Sequence, residues 1–182
     1  LDQPQKGAHP EGADVAALTH LIGRDRQTLG DHQGLFLPDT WSLPPPLCSF
    51  TSELYYDGRL RPRPGCERQQ LAGTGAIDGA GLFLLECAHT ANQASAPEEV
   101  AAIETLLRSI LRPGATWTNR AGRVAALRPE DVLVIAPYNA QVSALRRALQ
   151  HIGGTRVGTV DKFQGQEAPV VVYSCTSSSA AD

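Results

Sequence analysis

From residue 82 to residue 175 the sequence alternates short apolar, β-branched runs with longer stretches of helical period, and this alternation limits the possible folds more than any other feature. "GLFLLECA" reads as a buried strand. "PEEVAAIETLLRSIL" then places Val100, Ile103, Leu106, Leu107, Ile110 and Leu111 at helical spacing. Ser95 with Glu98 reads as a capping box for that helix, with Pro97 in its first turn. Turn residues around Asn119 to Gly122 suit a hairpin within 115–130, and "DVLVIAPY" supplies a second buried strand. A further helix follows with Val142, Leu145 and Leu149 inward and Gly153 and Gly154 past its end. "RVGTV" and "PVVVYSC" are two more runs suited to a parallel sheet interior. The order predicts an α/β domain with a parallel sheet flanked by helices, whose strand ends and loops gather on the edge where such sheets bind ligands.

The first half is less regular. "ADVAALTHLIG" puts Val15, Leu18, Leu21 and Ile22 on one face of a short helix. The run "LPPP" predicts extended chain, and "LCSFTSELYY" predicts a helix packed through Leu47, Phe50, Leu54 and Tyr55 that stops at Gly58. Residues 59–81 read as a Gly-, Pro- and Arg-rich loop ahead of the strand–helix core at 82–175. Arg59, Arg61, Arg63 and Arg68 in this stretch suit a solvated linker as well as a phosphate contact.

Composition narrows the function. A chain of 182 residues with 42% hydrophobic and 19% charged side chains can bury a core. Its formal charge of -3 argues against a protein that coats nucleic acid with a basic surface, while a local stripe stays open. Cys48, Cys66, Cys87 and Cys175 lie far apart without metal-ligand spacing, so free thiols are expected and no metal site is assigned. No apolar run reaches the roughly 20 residues of a membrane span, which predicts a soluble, cytoplasmic protein without a membrane partner. Neither common Gly-rich nucleotide signature fits anywhere, and no G-x-S-x-G elbow supports a hydrolase.

Three motifs in order carry a resemblance. "VGTVDKFQGQE" before an apolar strand resembles motif V of superfamily 1 helicases, in the branch that contains the helicases of nonsense-mediated decay and Okazaki-fragment processing. "IAPYNAQV" resembles that branch's motif IV region. "DTWSLPPPLCSFTSELYYDGRL" is similar to a segment that in relatives runs aromatic-Arg-Met-His-Pro into a helix. The resemblance implies that residues 1–182 are a second RecA-like domain of the P-loop NTPase type, truncated at both ends. It implies ATP and magnesium in the intact protein and none bound to this fragment. The implied partners are single-stranded DNA or RNA, a first RecA-like domain of the same polypeptide and, by analogy, a fused RecB-like nuclease. A fragment of this kind is expected to be inactive alone.

The residues assign roles within that frame. Trp41 offers an aromatic face to a base, and Glu167 can accept hydrogen bonds from ribose hydroxyls beside Gly165, where a missing side chain lets a ligand approach. Pro137, Tyr138 and Asn139 stand at a strand-to-helix junction, where backbone N–H groups and an amide can hold phosphate oxygens, and Thr159 adds a hydroxyl. Asp161, Gln164 and Gln166 form a coupling loop between these sites or a polar network that fixes the loop. No residue is assigned a catalytic role, and the histidines are assigned nothing. Ser42 stands where relatives carry an Arg, and a hydroxyl cannot replace that fixed positive fork. This departure keeps a second expectation open, a non-catalytic interaction module with a degenerate helicase fold.

Overall fold

The computed structural model describes residues 17–23, 26–30 and 32–179, in two compact units that divide between Arg63 and Pro64. Of the first expected helix, Val15 lies outside the described residues. What is described is α1 (Ala17–Ile22), with Leu21 exposed.

The rest of the first unit is β1 (Asp39–Thr40), α2 (Pro45–Tyr55) and β2 (Arg61–Pro62), with the two strands parallel and Asp39 opposite Arg61. The proline run is extended only through Pro44, at ψ 155°. Pro45 already occupies the first helical position, where a missing N–H loses nothing and a φ fixed by the ring suits the helix. The chain leaves α2 through Gly58, at φ 70°, whose N–H donates to Ser52 O. The packed face differs from the expected one: Cys48 and Ser52 are buried, while Phe50, Leu54 and Tyr55 are exposed. The returning chain decides this, because Leu60 N–H donates to Ser52 Oγ and Cys48 Sγ reaches Leu60 O, so the 48/52 stripe faces the covering segment.

In the second unit β3 (Gln70–Ala72) follows a 3-10 turn at Cys66–Arg68, so the expected loop at 59–81 holds real elements. Then come α3 (Pro97–Ile110), β4 (Thr116–Thr118), β5 (Val124–Ala126), β6 (Val132–Ile135), α4 (Asn139–Ala148), β7 (Arg156–Gly158), α5 (Val160–Phe163) and β8 (Val170–Tyr173). β7, β6 and β8 make a parallel sheet in that order, with Val134 opposite both Val157 and Val172. Central placement explains why Val132, Leu133 and Val134 are buried to 1% exposure or less. Ile103, Leu107 and Ile110 of α3 share one core with Val142, Leu145 and Leu149 of the α4 stretch and with Val132, Val134, Val157 and Val170. The expected hairpin is present: β4 pairs antiparallel with β5 on one side and β3 on the other, and Leu71, Ala115 and Leu127 join this small sheet to the same core. The molecule is therefore mixed α/β with a parallel sheet flanked by helices. No helix among the described residues is long and apolar enough to cross a membrane.

Two further local expectations fail. Residues 82–88 form no strand, and Leu82, Phe83, Leu84 and Leu85 are 79%, 50%, 88% and 54% exposed. A strand needs a partner edge as well as hydrophobicity. Downstream this stretch is tied to the region beyond β8, where Ser178 N–H donates to Asn92 O and Asn92 N–H to Ser178 Oγ, and among the described residues no ladder with β8 forms before that anchor. Nor does Ser95 cap α3. Ala96 is the cap residue, Ser95 Oγ donates to Gln141 Oε1 instead, and the Glu98 carboxylate takes the Asn92 amide.

Leu107→Ala is expected to lower unfolding stability by about 2–5 kcal/mol, because the site is enclosed by core on all sides. Phe50→Ala should change it by no more than about 0.5 kcal/mol. Urea denaturation followed by far-UV circular dichroism tests both, and equal losses would contradict the exposed face of α2.

Candidate functional site

Beyond the ends of the parallel strands the ladder runs on for one more step: Ala136 N–H donates to Gly158 O and Ser174 N–H to Ile135 O. Three chain segments therefore leave the sheet side by side. From β6 the chain enters α4 through Pro137, Tyr138 and Asn139, all exposed. Tyr138 is the N-cap in extended conformation with no side-chain cap bond, so the first turn of α4 receives no oxygen from its own cap. From β7 the chain passes Thr159, half-buried, which is the N-cap of α5. The structure thus brings Pro137, Tyr138, Asn139 and Thr159 to one edge. Tyr138, at 38% exposure, is not packed beneath the helix.

The DKFQGQE connection folds on itself. Phe163 is buried at 6% exposure against Gly158, where an added Cβ would lie 2.7 Å from Lys162 Cδ and 3.0 Å from Phe163 Cε2. Gln166 closes the loop, since its Nε2 donates to Lys162 O at 3.1 Å, its Oε1 accepts from Arg156 at 3.2 Å and its N–H donates to Phe163 O. Gly165 takes φ 77°, which favours glycine, and no atom lies within 4 Å of the place where its Cβ would be. Asp161, Gln164 and Glu167 are exposed. Gln166 therefore holds the loop, while the other polar side chains face solvent around it.

A buried polar network fastens this edge. Gln141, fully buried in the first turn of α4, accepts from Ala96 N–H at 2.9 Å and donates to Ala96 O at 3.3 Å and Ser174 Oγ at 2.9 Å. The Ser174 hydroxyl donates in turn to the Glu99 carboxylate, which also accepts Thr176 N–H at 2.9 Å and contacts His89 Nε2 at 3.0 Å. The other ring nitrogen, Nδ1, lies 2.7 Å from the Ser178 hydroxyl. Sequence reasoning missed these residues. One signal was present: Glu99 sits in line with Ile103 and Leu107, so it places a carboxylate on the apolar stripe of α3.

Trp41 belongs to the first unit. It follows β1, is 54% exposed, and carries the Arg63 guanidinium 4.3 Å from its ring centroid. Arg63 also meets Asp39 at 3.6 Å. Arg59 lies over Phe36 at 4.2 Å, so two arginines of the basic run stack on rings of their own unit. Among the described residues no group of three or more His, Cys, Asp and Glu side chains could hold a metal ion.

Residues 24–182 match the AAA domain family model, and the chain belongs to that family. Its relatives are named mostly as helicases. The DNA polymerase alpha-associated DNA helicase A of Schizosaccharomyces pombe is 40% identical over 30% of this chain and 8% of its own length. A Gallus gallus protein named as a helicase, MOV-10, is 27% identical over 70% of this chain and 15% of its own. The Mus musculus 3'-5' exoribonuclease HELZ2 is 26% identical over 92% of this chain and 6% of its own. The chain therefore spans a small part of the relatives it matches, and what it shares with them is a helicase-family domain.

Gln141→Leu keeps the volume of the side chain but strands the Ala96 peptide groups and Ser174. A loss of roughly 1–3 kcal/mol for each buried group left unpaired is expected in urea denaturation. A loss below about 0.5 kcal/mol would show that the network does not hold the edge.

Proposed function

We propose that this chain is the second RecA-like motor domain of a superfamily 1 nucleic-acid helicase, supplying one wall of the ATP cleft and part of the single-strand track. The observation that carries it is the convergence of Tyr138, Asn139 and Thr159 with the DKFQGQE loop on one strand-end edge, in a family whose relatives are named helicases. In this reading the backbone and amide of Asn139 and the hydroxyl of Thr159 grip phosphate oxygens without reading bases. Glu167, exposed beside the open space at Gly165, is assigned to ribose hydroxyls, and Trp41, in the other unit, is assigned separately as an aromatic face for a base. Asp161 and Gln164 sit between the two ligands and carry closure from one to the other, on the frame that Gln166 and Phe163 hold rigid. ATP with magnesium supplies the phosphoryl transfer in the intact protein. The phosphate loop and metal ligands for it belong to a first RecA-like domain of the same polypeptide, and a fused nuclease remains an analogy with relatives that join the two activities.

Ser42 leaves the Trp41 site without the Arg that relatives carry next in sequence, yet Arg63 stands over the Trp41 ring. We assign Arg63 the counter-charge for the nucleotide phosphates there. In a Trp117→Phe background, ATP is expected to quench Trp41 fluorescence at lower concentration than ADP does, and Arg63→Ala to erase the difference. Equal quenching by both nucleotides before the substitution would favour the non-catalytic interaction module, the reading that Ser42 by itself supports.

Strand binding tests the main proposal. A fluorescein-labelled 30-nucleotide strand should bind with little sequence preference and strong salt dependence. The paired Asn139→Ala and Thr159→Ala change should weaken it about tenfold or more for each phosphate bond removed. Anisotropy titrations in which the pair binds like the parent would sink the assignment of this edge.

A further inference from the structure

The hairpin of β4 and β5 is not used by the reading above. It joins the C-terminal end of α3 to the start of β6, so it lies toward the N-terminal ends of the parallel strands, away from the edge that carries Asn139 and Thr159. Residues 112–128 hold Arg112, Arg120, Arg123 and Arg128 and no Asp or Glu, in a chain whose formal charge is -3. Arg112 is used internally, its Nε donating to Gly73 O at 2.7 Å. The turn itself is pre-formed. Asn119 Oδ1 accepts the N–H groups of Ala121 at 2.9 Å and Arg123 at 3.0 Å, and Asn119 N–H donates back to Arg123 O. Gly122 closes the turn at φ 80°.

The turn gathers cations from two segments. Arg123 is exposed. Arg120 runs against the backbone at Gly65, where a Cβ would come within 2.9 Å of its Cγ, so its stem is held and not merely solvated. Arg68 reaches the same turn, with Cδ and Nη1 each 3.7 Å from the place of a Gly122 Cβ. Its acidic neighbour Glu67, 3.9 Å away, takes Gly65 N–H at 2.7 Å and is engaged mainly with backbone. Hydrogen bonds from its own and the Gly65 N–H groups hold the Glu67 carboxyl below the usual range.

We infer that the turn at Asn119–Arg123, with Arg68, is a contact for the phosphate backbone of double-stranded nucleic acid. The chemistry selects that partner. The contact is cationic and rests on a turn whose backbone is formed before binding, which suits phosphates spaced along a regular duplex. Single-strand binding uses exposed aromatic rings as stacking platforms, and the nearby Trp117 is half-buried inside the three-stranded sheet. The inference adds a duplex contact to the helicase reading and falls separately from it.

The test uses the whole chain, a labelled 30-base-pair duplex and a labelled 30-nucleotide strand, each titrated at several salt concentrations. Arg120→Gln/Arg123→Gln is compared with Arg108→Gln/Arg147→Gln, a control on α3 and α4 that removes the same charge. The expected result is a salt slope on the duplex smaller by about 1.8, roughly 0.9 for each phosphate no longer neutralised. The control should leave the duplex slope unchanged, and single-strand binding should be the same for both. An equal drop in the control, a drop on the single strand alone, or no drop overturns the duplex contact. A parent chain that binds neither probe overturns it together with the helicase reading. A parent whose strand binding falls with Asn139 and Thr159 but whose duplex slope ignores the turn leaves the helicase reading standing and removes this one.

Discussion

One carboxylate and one carboxamide, both buried, hold α3, α4 and the chain beyond β8 together next to the α4 end of the candidate site. Glu99 enters from α3, Gln141 from α4, and Ser174 and Thr176 from the end of β8. A charge taken out of water is tolerated only where donors surround it, and Glu99 has the Thr176 peptide, the Ser174 hydroxyl and the His89 ring. That requirement works in both directions. It makes the packing of α3 against α4 intolerant of small shifts, and it sets where the chain can go after β8. The exposed turn at Tyr138–Asn139 inherits its position from Gln141, two residues further on.

The loop between β7 and β8 is organised by different means, without buried charge. Gly158 lets Phe163 fold back onto the strand end, and Gln166 ties the returning chain to Lys162 and Arg156. A short helix of four residues is thereby tied back to the strand end, with Asp161, Gln164 and Glu167 on its outside. The two arginines stacked on Trp41 and Phe36 belong to a separate unit, where Arg63 also meets the Asp39 carboxylate.

Much of the architecture was legible in the sequence. The β-branched runs at 132–135, 156–158 and 170–173 became neighbours in a parallel sheet, since such runs have nowhere else to be buried. The apolar stripes of α3 and α4 and the turn at Asn119–Gly122 were equally readable, because their signals are local: a period of about 3.6 residues, and residues suited to a tight turn. Local signals also misled. Ser95 and Glu98 have capping-box spacing, yet Gln141, distant in sequence, offers Ser95 a better partner.

What the sequence determined by itself was the parallel strands of the core, the helices α3 and α4 and the turn between β4 and β5, for these depend on spacing along the chain. Tertiary structure decided the rest. Phe50 and Leu54 read as core and are exposed because the chain returns over Cys48 and Ser52; Leu82–Leu85 read as strand and stay exposed because no edge is paired with them. His89, which showed no pattern in the sequence, became part of a buried network only when Glu99 and Ser178 were brought to either side of its ring. Hydrophobicity and period state what a segment can bury, but whether it is buried, and which polar groups must then pair, depends on which surface arrives opposite it.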